Sequence, residues 1–178
     1  MDESSDDEQM MYRIQQGDHQ AFRRLVEQHL NPLYRFVRRM LGTPTDADDI
    51  VQETFIKVWR NAHQWQVGKA KLSTWLHSIA HHCCIDSYRQ NSGTLVDLEE
   101  VADIAAPETS SGIYQTEILD YVGNALRKLP ERQRSAILLC YYQGFSNQET
   151  AEILNISVTA LESLLARARK ALKQQLQT

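Results

Sequence analysis

The stretch from Ser146 to Leu176, SNQETAEILNISVTALESLLARARKALKQQL, decides the fold. Ser146 stands three residues before Glu149, the spacing of a capping box, and Ala151, Ile153 and Leu154 follow as an apolar stripe, so a helix starts at Ser146. Asn155-Ile156 interrupts the period and Ser157 offers a second N-cap. Beyond it Val158, Leu161, Leu164, Leu165, Ala168 and Leu172 recur at helical spacing over about four turns. Two helices joined by so short a turn cannot lie antiparallel. They cross steeply and leave the second one proud, the helix-turn-helix arrangement that enters a DNA major groove. Glu162, Ser163, Arg167, Arg169, Lys170 and Lys173 occupy its exposed face. Capped helix pairs also occur in bundles that never touch nucleic acid. The basic end of this helix favours DNA, because arginine can take phosphates or a guanine edge.

A formal charge of -4 argues against a DNA binder until it is divided along the chain. Residues 1–8 hold five acids and no base, and residues 97–120 hold seven acids and no base. Residues 9–96 carry eleven Lys/Arg against seven acids, and residues 121–178 carry eight against four, so each block is +4. Two mildly basic blocks are separated by an acidic strip. A hydrophobic content of 42% suffices for folded cores, and no apolar run approaches the length of a membrane span. The acidic N-terminus lacks the basic and apolar regions of a signal peptide. Cys83, Cys84 and Cys140 form no disulfide framework. A cytoplasmic protein in a reducing compartment, without membrane insertion, is expected.

In the first block, Met10 to Gln16 reads as a short helix ended at Gly17, and Asp18 can cap a long one running to Gly42 with Pro32 inside it, kinked rather than broken. Thr45 or Asp46 starts the next helix, buried through Ile50, Val51, Phe55, Val58 and Trp59. Carboxylates crowd its first turns, where the helix dipole favours them. Asp49, Gln52 and Glu53 nevertheless share one exposed face, a docking surface for a basic partner. The loop Asn61 to Leu72 interleaves Trp65 with Lys69 and Lys71, which suits a single strand whose base stacks on indole, or else a core tryptophan beside a solvated loop. A further helix runs from Ser73 to about Gln90. Little periodicity follows up to Gly112, the composition of a linker. Ile118 to Lys128 is helical, and Pro130 opens another helix that stops at Gly144. No strand pattern occurs. The expectation is an all-α chain of two small helical domains joined by a flexible acidic linker, the second containing the helix-turn-helix.

The order of these parts resembles the extracytoplasmic-function (group 4) sigma factors of bacterial RNA polymerase, within the sigma-70 family. The stretches that carry the resemblance are QGDHQAFRRLVEQHL, DADDIVQETFIKVWRN, LSTWLHSIAHHCCIDSYRQ, LRKLPERQRSAILLCYYQGFSNQETAEIL and ALESLLARARKAL. It implies an acidic tail at 1–9, region 2 at 10–92, a linker at 93–114 and region 4 at 115–178. It also implies core polymerase (beta-prime clamp and beta flap), promoter DNA and an anti-sigma factor as partners, with no cofactor, no metal and no enzymatic activity. Carried over by position, Asp49, Gln52 and Glu53 would meet the clamp. Lys57, Asn61, Trp65, Lys69, Lys71, His82 and Arg89 would serve the melted minus-ten element. Glu162, Ser163, Ala166 and Arg167 would face the minus-thirty-five groove, with Arg169 and Lys170 nearer its backbone. His82 stands where the family usually has Asn, and Glu162 and Ala166 where bulkier or basic residues are frequent, so the promoter sequence read by this chain differs accordingly.

Two other readings compete. His77, His81 and Cys84 have metal-ligand spacing on one helix, and His82 and Cys83 could add to them, as in a metal-sensing variant. A helix-turn-helix regulator that never joins polymerase is the second, although it has no need of the acidic face.

Overall fold

The computed structural model describes residues 3–91 and 121–177. The expected linker at 93–114 lies outside the described residues. Among the described residues every regular element is helical. In chain order they are α1 (Glu3–Gln15), α2 (His19–Leu41), α3 (Pro44–Arg60), a 3-10 turn (Ala62–Gln64), α4 (Leu72–Asn91), α5 (121–127), α6 (Glu131–Ile137) continued by a π-helical turn (Leu138–Tyr142), α7 (Asn147–Leu154) and α8 (Val158–Leu176).

Local signals account for most of these boundaries. Asp18 caps α2 by accepting from the backbone N–H groups of Gln20 and Ala21, and Gly42 ends it in the left-handed conformation. The helix passes through Pro32 without a break. Three boundaries differ from expectation. α1 begins at Glu3, seven residues before Met10, so the acidic segment continues the helix; Asp6 reaches Arg24 on α2 at 3.5 Å. α3 starts at Pro44 rather than after it, because proline has no N–H to lose in a first turn. Pro130 is the residue before α6, not its first.

α1 to α4 pack around Met11, Leu25, Leu33, Phe36, Met40, Leu72 and Leu76, all fully buried. His19 stacks on Trp59 with ring centroids 4.7 Å apart, tying the start of α2 to the end of α3. The second half packs around Leu129, Leu138, Leu139, Ile153 and Leu161. In the helix-turn-helix, Ser146 and Glu149 form the reciprocal capping box, Asn155 ends α7 at φ 52°, and Ser157 caps α8 through the N–H of Ala160. The buried residues of the two halves form one continuous cluster. That junction is absent from the sequence reading: α4 lies against α7, and the end of α2 lies against α6 and the π-helical turn.

Candidate nucleic-acid interface

α3 turns Ile50, Val51, Thr54, Phe55 and Val58 inward, and the same period brings Asp49, Gln52 and Glu53 to the exposed side. Thr54 is buried harmlessly because its hydroxyl donates to the carbonyl of Ile50 at 2.7 Å. One turn beyond Glu53, Lys57 meets its carboxylate at 2.8 Å and Asp86 on α4 at 4.0 Å. The hydrogen bond to Glu53 raises the Lys57 pKa. The acidic face and Lys57 therefore share one helix and one ion pair.

The loop after α3 is held from outside itself. Gln15 on α1 donates its side-chain amide to the carbonyls of Ala62 and Trp65 at 3.0 and 3.2 Å. Asn61 is half-buried and accepts from Gln64, while Lys69 is exposed beyond Gly68, whose φ of 78° suits glycine. Trp65 departs from the expectation of a stacking platform. It is only 7% exposed, belongs to the core, and its indole N–H has no partner. Its position supports the loop from below rather than offering a ring face to a base. His82 and Arg89 are exposed on α4, and His82 Nδ1 donates to the carbonyl of Ser78 at 2.7 Å. Lys71, at the foot of α4, reaches across to Glu149 of the capping box at 2.9 Å. That contact, above all, lowers the Glu149 pKa.

α8 is simpler. Leu161, Leu165 and Ala168 face inward, and Glu162, Ser163, Ala166, Arg167, Arg169 and Lys170 are all exposed. The face is organised by its own backbone: Ser163 donates to the carbonyl of Thr159 and Arg167 to that of Ser163, at 3.1 and 3.2 Å. Arg169 donates to the Tyr141 hydroxyl at 3.1 Å, a neighbour missed by sequence reasoning because it comes from the π-helical turn that precedes the helix-turn-helix. Here Arg and Lys can meet phosphate, and Ser163 and Arg167 can meet base edges, with no rearrangement of the helix.

The histidine and cysteine cluster does not assemble into a metal centre. His77 Nδ1 donates to the Ser73 carbonyl at 2.8 Å and its ring lies between Phe36 and Phe145, while His81 Nε2 shares a 3.1 Å hydrogen bond with Ser135. Burial pushes the Cys84 thiol up strongly, away from the thiolate a metal needs. No group of three metal-binding side chains is found among the described residues.

Comparison with known proteins identifies the family of both halves. Residues 25–94 match the family model for sigma-70 region 2, and residues 119–172 match sigma-70 region 4. The chain is 32% identical to the ECF RNA polymerase sigma factor SigW of Bacillus subtilis, over 92% of this chain and 93% of that protein. It is 34% identical to the ECF RNA polymerase sigma factor SigM of Mycobacterium tuberculosis, over 88% and 77% of the two chains. Among solved structures it resembles CnrH in complex with the cytosolic domain of CnrY, with TM-score 0.74, 27% identity and 97% of both chains covered. It equally resembles the sigma factor RpoE in complex with the anti-sigma factor NepR from Bartonella quintana, with TM-score 0.74, 26% identity, and 88% and 97% covered.

Proposed function

Because this chain belongs to the extracytoplasmic-function sigma factors of RNA polymerase, we propose a division of its exposed residues between polymerase and promoter. It is an alternative sigma factor that directs RNA polymerase to promoters, and such factors are not enzymes: the polymerase carries out the chemistry. Residues 10–92 act as the unit that binds core polymerase and the minus-ten element, and residues 115–178 as the unit that reads the minus-thirty-five element and meets the beta flap. Asp49, Gln52 and Glu53 dock on the basic beta-prime clamp helices. Lys57, Asn61, Lys69, Lys71, His82 and Arg89 follow the melted strand, with Trp65 acting beneath the loop. Ser163 and Arg167, flanked by Glu162 and Ala166, face the groove, and Arg169 and Lys170 hold phosphates.

The observation that supports this reading is the division of α3 and α8 into a face that builds the core and a face that the fold leaves exposed. Each good base contact discriminates by about 1–3 kcal/mol, and either half alone holds DNA weakly. Polymerase therefore supplies selectivity by linking two modest contacts on one promoter. An anti-sigma factor is a further proposed partner, since one similar solved structure is a sigma factor in complex with an anti-sigma factor, and the proposed site of action is the cytoplasm.

Asp49→Ala with Glu53→Ala tests the docking face. Retained far-UV circular dichroism with loss of binding to core polymerase is expected; core affinity equal to that of the unmodified chain would overturn the assignment.

A further inference from the structure

Arg134 of α6 is 8% exposed, yet no carboxylate lies among its hydrogen-bond partners. Its guanidinium donates to the carbonyl of Met40 at 2.6 Å and to the Tyr88 hydroxyl, both in the first half, and to the carbonyls of Arg127 and Leu129, both in the second. Tyr88 also donates to the Met40 carbonyl. Met40 is one of the last residues of α2, where carbonyls lack partners within the helix and a cation is favoured. A side chain from the second half thus completes the end of a helix in the first.

Next to this fork lies a row of α4 side chains covered by the second half. His77 meets Phe145 with ring centroids 4.7 Å apart, and His81 meets Ser135. His81 Nδ1 is buried with no partner, and the Gln143 side chain at the end of the π-helical turn lies against His77, where it favours the charged ring less than burial opposes it. Lys71 meets Glu149 at one edge, and Arg39 stacks on Tyr142 at 4.7 Å at another.

We propose that this is a closed state of the sigma factor, latched by Arg134 and sealed by the His77 and His81 row, and that mild acid opens it by charging the two histidines. Opening would also free Lys71 from Glu149; that consequence for DNA rests on the promoter roles given above, whereas the latch itself does not.

The sign follows from burial. Desolvation lowers both histidines from the ordinary 6.5 to about 4, so the closed state holds them neutral while an opened state lets them bind protons. Closure is therefore undisturbed above pH 6.5 and weakens as pH falls from 6.5 toward 4. The neighbouring charges reinforce this. His77 faces His29 on α2, and His81 faces His82 on α4 and Arg132 on α6; all disfavour a further positive charge. Arg39 on α2 and Arg134 on α6 are cations as well. Of the carboxylates on α2, α4, α6 and α7, Glu27 pairs with Arg23, Asp86 with Lys57, Glu131 lies toward Tyr88, Glu149 is held by Lys71 and Glu152 is exposed. At pH 5 each histidine disfavours closure about 30-fold, and the pair on the order of 1000-fold.

Small-angle scattering of the full chain between pH 8 and pH 5, with far-UV circular dichroism alongside, tests this. The radius of gyration is expected to rise below pH 6.5 with helix content retained. His77→Phe combined with His81→Gln, which keep an aromatic ring and a hydrogen-bonding amide, should stay compact at pH 5. Tyr88→Phe, which removes one acceptor from Arg134 and leaves its contacts within the second half, should open at a higher pH than the unmodified chain. An unchanged radius, an expansion that coincides with loss of helix, or a double histidine variant that expands like the unmodified chain would each overturn the proposal.

Discussion

The two surfaces proposed to meet DNA are in different states. On α8, Ser163 and Arg167 bond only to the helix that carries them, and the outward face stands ready. Around α3 and α4, Lys57 is paired with Glu53 and Asp86, Lys71 with Glu149, and Trp65 is buried. A groove of duplex DNA has a fixed shape and can be met by a preformed rod. A melted strand exists only after the duplex opens, and two of the lysines proposed to hold it, Lys57 and Lys71, are kept occupied by the protein's own carboxylates.

The strongest way to break this contrast is to remove what holds α8 upright. Leu161 is fully buried beneath the reading face, and Leu161→Ala is expected to cost roughly 2–5 kcal/mol of stability in urea denaturation, taking duplex binding with it. A stability change below about 1 kcal/mol would mean that the face is not supported from below. Arg167→Ala sharpens the contrast instead. The fold should be untouched while binding to the preferred minus-thirty-five duplex weakens by about 1–3 kcal/mol and selectivity relaxes at one base pair, read by competition against single-base variants. Uniform weakening across all sequences would move Arg167 to the phosphate-binding set. Lys71→Ala should have the smallest effect in the isolated chain, under about 1 kcal/mol in stability, because its bridge to Glu149 is solvent-exposed on the lysine side. In the polymerase complex the same change should lower the salt dependence of promoter binding by about one phosphate contact.

Residues near each other in the chain carried most of what the sequence made legible. Asp18, the Ser146 and Glu149 pair and Ser157 each act within three residues, so their caps could be read before any packing was known. The outward faces of α3 and α8 followed from period alone. Leu30 is a small exception: it stands three residues before the buried Leu33, a helical spacing that would put it on the same face, yet it is 41% exposed. Trp65 was ambiguous because a loop tryptophan can serve either side, and only the packing around Ala62 and Gln15 decides it. Arg134, His77 and His81 were illegible as a set: their partners lie 46 to 94 residues away for Arg134 across the halves and 54 for His81, and polar side chains carry no periodic signal of burial. Helical period marked the exposed face of Asp49, Gln52 and Glu53, and the family resemblance contributed only the partner proposed for it.

The wide turn at Leu138–Tyr142 has its own consequence. It closes with the N–H of Gln143 on the carbonyl of Leu138 at 3.0 Å, so the chain winds one extra residue into a turn between α6 and the helix-turn-helix. Leu138 and Leu139 both face the core while Tyr141 and Tyr142 both face outward, an adjacency a regular helix does not readily give. Each residue of an α-helix advances the chain by about 100°. Trimming a single residue here would leave every cap downstream intact and swing α7 and α8 out of register with the core they share with the first half, like a key cut correctly but turned in its lock. The compass bearing of α8 is thus written in a segment that lies outside the helix itself.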